Sequence, residues 1–229
     1  MHKRVKYIVC VLTLLCGLYS SAQRQYEPHF AVGAKGGMSF SRMEFVPGVE
    51  QTMNMGMILG FQARYTEENF FGLIGELNLV QGGWQEVFDE TQFSYSRTLT
   101  YIQLPILTHI YFGGKNFKGF VNLGPSVSYL IGDNISSNFD YRNPTFVQGF
   151  PYQNRRLNQM KMEVENKFDY GITAGLGMEL IIKRRHSLLL EGRYYYGLGN
   201  IFPDAKKDEF SASRGSSIHV TLGYLFHLK

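Results

Sequence analysis

The stretch YIQLPILTHIYFGGKNFKGFVNLGPSVSYL, residues 101–130, changes polarity at almost every position on either side of the four residues GGKN. Ile102, Leu104, Ile106, Ile110 and Phe112 share one parity, and Tyr101, Gln103, His109 and Tyr111 share the other. Past the turn, Val121, Leu123, Val127 and Tyr129 oppose Asn122, Ser126 and Ser128. Successive side chains of a strand point to opposite faces, so a period of two describes a hairpin with one apolar and one polar face.

The alternation recurs in eight runs. Phe30, Val32, Ala34, Met38 and Phe40 oppose Lys35, while Met55, Met57, Leu59 and Phe61 oppose Gln62 and Arg64. Leu73, Leu77 and Leu79 oppose Glu76 and Asn78, and Ile172, Ala174, Leu176 and Met178 oppose Asp169, Thr173 and Glu179. In the last two runs, Leu188, Leu190 and Tyr194 oppose Glu191 and Arg193, and Ile218, Val220 and Leu222 oppose His219 and Thr221. In each run the charges keep to a single parity.

The connections alternate as well. TEEN (66–69), GGKN (113–116) and KRRH (183–186) are turns of four residues, whereas 43–54, 83–97, 132–167 and 199–215 are long. Tight turns at one end and long loops at the other characterise barrels of the bacterial outer membrane. The runs supply the roughly 9–11 tilted residues that cross the hydrocarbon, and aromatics such as Phe30, Tyr65, Phe112, Tyr129 and Phe168 fall near their ends. The predicted fold is all-β: an eight-stranded antiparallel up-and-down transmembrane β-barrel with short periplasmic turns and long extracellular loops. The competing architecture is a soluble eight-stranded barrel of the lipocalin kind, which would turn the apolar parity inward.

Residues 1–22 read separately. Lys3, Arg4 and Lys6 precede a short apolar run that ends in SSA, the pattern of a secretory signal cleaved after Ala22. An N-terminal membrane anchor is the alternative. The expected organisation is therefore a signal peptide at 1–22 and a barrel domain at 23–229, located in the outer membrane. Both cysteines, Cys10 and Cys16, leave with the signal. Removing three of 23 basic residues leaves 20 against 19 acidic ones, a formal charge of +1, which gives no basic surface for nucleic acid.

An eight-stranded barrel has room inside for side chains and little else. Lys35, Arg64 and Arg193 are expected to face Glu76, Glu179 and Glu191 as packed ion pairs, with Arg97 and Asp169 adding one charge of each sign nearer the outer end. A proton or ion pathway through them is the sharper reading, and it lacks space. No catalytic, metal or cofactor site is expected, and no small-molecule substrate: there is no G-x-S-x-G, and GLGMEL (175–180) lacks the third glycine of a dinucleotide loop. Ser217 and His219, two apart on the interior parity, are the nearest approach to a catalytic pair and keep open a lipid-modifying enzyme. A purely structural or adhesive envelope barrel is a further alternative.

The loop at 132–167 mixes Phe139, Tyr141, Phe146, Phe150 and Tyr152 with Arg142, Arg155 and Arg156. Arginine among aromatics is the composition of contact surfaces, so this loop either meets a partner or folds back over the barrel mouth. Trp84, in the loop at 83–97, offers a second such surface.

Three segments carry a family likeness: ARYTEENFFGLIGELNLVQGGWQE (63–86), YSRTLTYIQLPILTHIYFG (95–113) and VNLGPSVSYLIG (121–132), with E-L-N-x-x-x-x-G-W, Y-I-Q-L-P and L-G-P in order. They resemble the outer-membrane β-barrel family of Bacteroidetes that includes PorT, over about residues 28–229. The resemblance implies the barrel, the outer membrane, and a part in type IX protein secretion with secretion-system subunits or cargo as partners at the extracellular loops. It brings no catalytic residues. Many outer-membrane barrels end on an aromatic read by the insertion machinery; here the end is FHLK, with Phe226 in the nearest position.

Overall fold

The computed structural model describes residues 28–67, 70–88, 92–151, 153, 155–183, 185–205 and 208–228; the expected signal segment lies outside them. In chain order the strands are β1 (His29–Val46), β2 (Gln51–Thr52), β3 (Asn54–Thr66), β4 (Phe71–Glu86), β5 (Tyr95–Gly113), β6 (Phe117–Ser137), β7 (Phe168–Ile182), β8 (His186–Gly197) and β9 (Ala212–Leu228). All pairings are antiparallel. β1 joins β3 on one side and β9 on the other, and β4 joins β5, so the eight long strands close into a ring. The two-residue β2 lies only against the end of β4. Among the described residues each of the eight long strands has a partner on both sides, the condition for a sheet to sit in lipid, where unpaired backbone groups have no water.

The apolar parity faces outward. Phe61 and Leu176 are each 70% exposed and Leu222 69%, on three different strands, while Lys35, Arg64, Glu76, Glu179, Glu191 and Arg193 are buried inside. A soluble barrel would have the opposite arrangement, so that alternative is excluded. Phe30, Tyr65, Phe112 and Phe117 are exposed near the short turns, and Tyr129, Phe168 and Tyr170 near the other end, forming two aromatic girdles.

The strands run further than their alternation suggested. β5 has 19 residues and β6 has 21, against the roughly 10 that lipid requires. The long connections shrink accordingly to 47–53, 87–94, 138–167 and 198–211. Trp84 is thus not a loop residue; it lies on β4 and is fully buried. The physical reason is an inversion of polarity. Toward the outer end Met43, Phe45, Trp84, Tyr95 and Leu99 point inward and are buried, while Arg42, Glu44, Gln85 and Asn134 are exposed outside. Above the lipid the exterior meets water, so the apolar face moves to the inside.

One glycine permits this extension. Gly83 has φ +131°, and a Cβ there would come within 1.9 Å of the Arg97 carbonyl oxygen, so β4 keeps its pairing with β5 only with glycine at this position.

Candidate functional site: a lumen closed at two levels

At membrane depth a continuous polar network fills the lumen. Arg193 donates through both terminal nitrogens to Glu76, 2.7 Å each, and Lys35 Nζ donates to Glu76 Oε2 at 2.6 Å. Arg193 Nε lies 2.7 Å from Glu191 Oε1, although its N–H is not aimed at an acceptor. Asn122 Nδ2 donates to Glu191 at 2.6 Å, and Asn122 Oδ1 lies 2.7 Å from His109 Nδ1. Arg64 approaches His109 Nε2 at 3.1 Å and makes two bonds to Glu179, 2.8 and 2.7 Å. Because Nε2 faces a guanidinium that can only donate, the proton of a neutral His109 belongs on Nδ1, from which it is donated to Asn122. The three cations and three anions expected inside therefore do pair.

Arg97 and Asp169 do not join this set. Arg97 pairs instead with Asp133 through two bonds of 2.8 and 2.5 Å. Asp169 accepts from Tyr195 Oη at 2.7 Å and from the backbone of Gly199 and Tyr170. Asp133 is the partner that sequence reasoning overlooked, because it lies within the segment assigned to a loop. It stands opposite Leu99 on the β5–β6 ladder, two residues along from Arg97 on the same face of β5, so the two side chains meet diagonally.

The second closure is a roof. Residues 138–167, with a 3-10 turn at Pro144–Phe146 and a one-turn helix at Asn158–Lys161, fold across the outer mouth. Phe150 and Met160 enter a buried cluster with Phe45, Trp84, Tyr95, Phe202 and Phe210. Aromatic pairs here are mostly edge-on or tilted, such as Phe45–Trp84 with centroids 5.3 Å apart and Phe139–Phe150 at 4.8 Å, while Phe45 and Phe202 stack at 6.1 Å. Three strand residues fasten the helix: Tyr95 Oη donates to Met160 O at 2.9 Å, Arg97 donates to Met162 O at 2.7 Å, and Gln159 Nε2 donates to Glu86 Oε1 at 3.0 Å. Most of the loop's aromatics are thus directed inward. Phe146 is the exception, 89% exposed at the apex. Tyr152 lies outside the described residues.

Glu86 is the unusual group of this roof. Its carboxylate accepts from Gln159 and from Trp84 Nε1 at 3.2 Å, yet among the described residues no cation pairs with it directly. Burial pushes its pKa up from the ordinary 4.5 to about 7, against the smaller opposing effects of those two bonds and of Arg155. Tyr95, opposite it on β5, is also pushed above its usual range by burial.

Ser217 and His219 are brought together, Oγ to Nε2 at 2.8 Å. Both are buried, and among the described residues no carboxylate bonds to His219 to orient it. Ser217 borders a cavity of about 40 Å³ lined also by Gln103, Ser128 and Asp169, between the ion pairs and the roof. That is space for a few waters, not for a lipid. Among the described residues no three His, Cys, Asp or Glu are grouped to hold a metal ion.

A family model described as "Outer membrane protein beta-barrel domain" matches residues 21–203 of the chain. Among solved structures the chain is similar to Neisserial surface protein A, at 10% identity and TM-score 0.48, covering 88% of this chain and 99% of that one. It is also similar to OprG from Pseudomonas aeruginosa, at 12% identity and TM-score 0.49, covering 89% and 98%. Ail of Yersinia pestis follows at 11% identity and TM-score 0.40, covering 86% and 98%. No curated protein matches.

Proposed function

Since the chain belongs to the outer membrane protein beta-barrel domain family, and so to the outer membrane, we propose that it is a non-enzymatic barrel that assists protein secretion through its extracellular crown. The finer assignment, a PorT-like accessory of type IX secretion in a Bacteroidetes envelope entered through a cleaved signal peptide, rests on the motifs at 63–86, 95–113 and 121–132.

One observation carries the non-enzymatic, non-conducting reading: the lumen is closed twice, by the Arg64–Glu179 and Arg193–Glu76 pairs and again by the roof over Trp84. With the interior filled, surfaces remain. The crown offers exposed Phe146 at the apex of the 138–167 loop, with Arg142 nearby in the chain, which suits contact with a subunit or cargo polypeptide. A second reading, an outer-membrane lipid-modifying enzyme, draws on the Ser217–His219 contact. It has to bring a lipid past the roof or through the barrel wall.

Gene deletion separates the two. Loss of specific cargo proteins from the secreted fraction with unchanged lipid A masses is the expected result. Altered lipid A masses with intact secretion, reproduced by Ser217→Ala, would overturn it in favour of the enzyme.

A further inference from the structure

At the end opposite the roof, the barrel opens to the periplasm in a concavity of about 670 Å³. Its walls come from the β5–β6 turn, with Lys115 and Asn116, from Lys118 on β6, and from His29 and His227 on the first and last strands. Among the described residues no carboxylate lines it.

Lys118 breaks the rule that governs the rest of the lumen. It stands on the inward parity of β6, half-buried, in register with Gly113 and Glu179. The four inward cations above it each hold a carboxylate: Lys35 and Arg193 share Glu76, Arg64 holds Glu179, and Arg97 holds Asp133. Among the described residues no carboxylate lies within ion-pair distance of Lys118. Glu179, its cross-strand neighbour, is already bonded through both oxygens to Arg64. The Lys118 ammonium rests instead on the face of Tyr111, 4.2 Å from the ring centroid, which holds it at the mouth. A cation withdrawn from bulk water and lacking a fixed partner attracts a mobile anion, and low-dielectric walls focus that field.

We propose that this mouth is a binding site for a phosphate group, held by Lys118 and Lys115, with the headgroup of an anionic phospholipid of the periplasmic leaflet as its main source. Lysine serves phosphate as a point charge without a fixed fork geometry. The volume exceeds what a bare phosphate fills and falls in the range of small-molecule sites. Phe112 both lines the concavity and is exposed to lipid, so a headgroup can enter while its acyl chains stay in the bilayer. Inorganic phosphate is the other source of the same chemistry.

The test uses the full barrel with reductively methylated lysines, followed by NMR, and native mass spectrometry for retained lipid. Inorganic phosphate added in detergent should shift the Lys118 signal saturably. Nanodiscs containing phosphatidylglycerol should shift it further than those of phosphatidylcholine alone. Lys118→Gln should lower phosphatidylglycerol retention several-fold and leave the heat-dependent gel mobility of the folded barrel unchanged. Lys183→Gln, an exposed rim lysine outside the concavity, should leave retention unchanged. A response to phosphate without a response to phosphatidylglycerol supports the site and identifies soluble phosphate as its source. A Lys118 signal indifferent to both, or equal loss of lipid in Lys118→Gln and Lys183→Gln, overturns the proposal, the latter by showing only diffuse attraction to a basic rim.

Discussion

Among the described residues Glu179 is the sole carboxylate bonded to Arg64, whereas Arg193 has both Glu76 and Glu191. Leaving a buried charge unpaired costs on the order of 3–5 kcal/mol. Glu179→Leu should therefore destabilise the barrel by about that amount, and Glu191→Leu by less, because Arg193 keeps Glu76. Exposed Glu163→Leu should stay within roughly 0.5 kcal/mol. Urea unfolding in lipid vesicles ranks the three; equal midpoints would mean that the lumen is wet. Glu86 makes a different prediction, since its folded pKa of about 7 lies above the ordinary 4.5. Below pH 4.5 the group is neutral in both states and the roof is at its most stable. As pH rises through 7, the buried carboxyl must either ionise in place or be released, and on the order of 3 kcal/mol of seating is lost. Arg155 faces it from the loop and Tyr95 from β5, but Arg155 is paired with Glu50. Amide exchange in residues 157–162 should accelerate from pH 5 to pH 8 beyond its intrinsic pH dependence, and Glu86→Gln should abolish that excess.

At the scale of elements, the loop at 138–167 is a roof before it is a tether. Replacing residues 139–160 with a short Gly/Ser linker removes Phe150, Gln159 and Met160 from the cluster around Trp84. Trp84 is the chain's one tryptophan, so its fluorescence reports on the roof directly. The linker variant should insert normally, yet emit at longer wavelength and be quenched by acrylamide; an unchanged spectrum would show that the loop does not cover Trp84. The membrane-embedded halves of the strands were legible because lipid outside and charge inside impose one parity: Lys35, Glu76, Arg64 and Glu179 all fall where alternation puts them. The outer halves were not. At Met43, Phe45, Trp84 and Tyr95 the same alternation continues with its polarity reversed, and a search for apolar-outward runs stops there. The reversal itself, apolar residues changing parity near Phe40–Met43 and at Leu99–Ile102, is the signal that would have extended the strands. The Glu86–Gln159 bond, 73 residues apart in sequence, had no such signal.

For the whole molecule, the two closures lie in series and rest on different physics. Charge pairing closes the barrel within the bilayer, where an isolated ion costs most, and aromatic packing closes it above, where the exterior is wet. The roof can loosen without opening a pore, and the crown is free to serve contacts while the barrel stays tight. Single-channel recording of the purified protein in a planar bilayer tests this most directly. No conductance steps should appear for the full protein, and none for the 139–160 linker variant, because the Arg64–Glu179 and Arg193–Glu76 pairs still block the lumen. Sustained, uniform conductance steps from the linker variant would contradict the account by showing that the lumen at membrane depth is open.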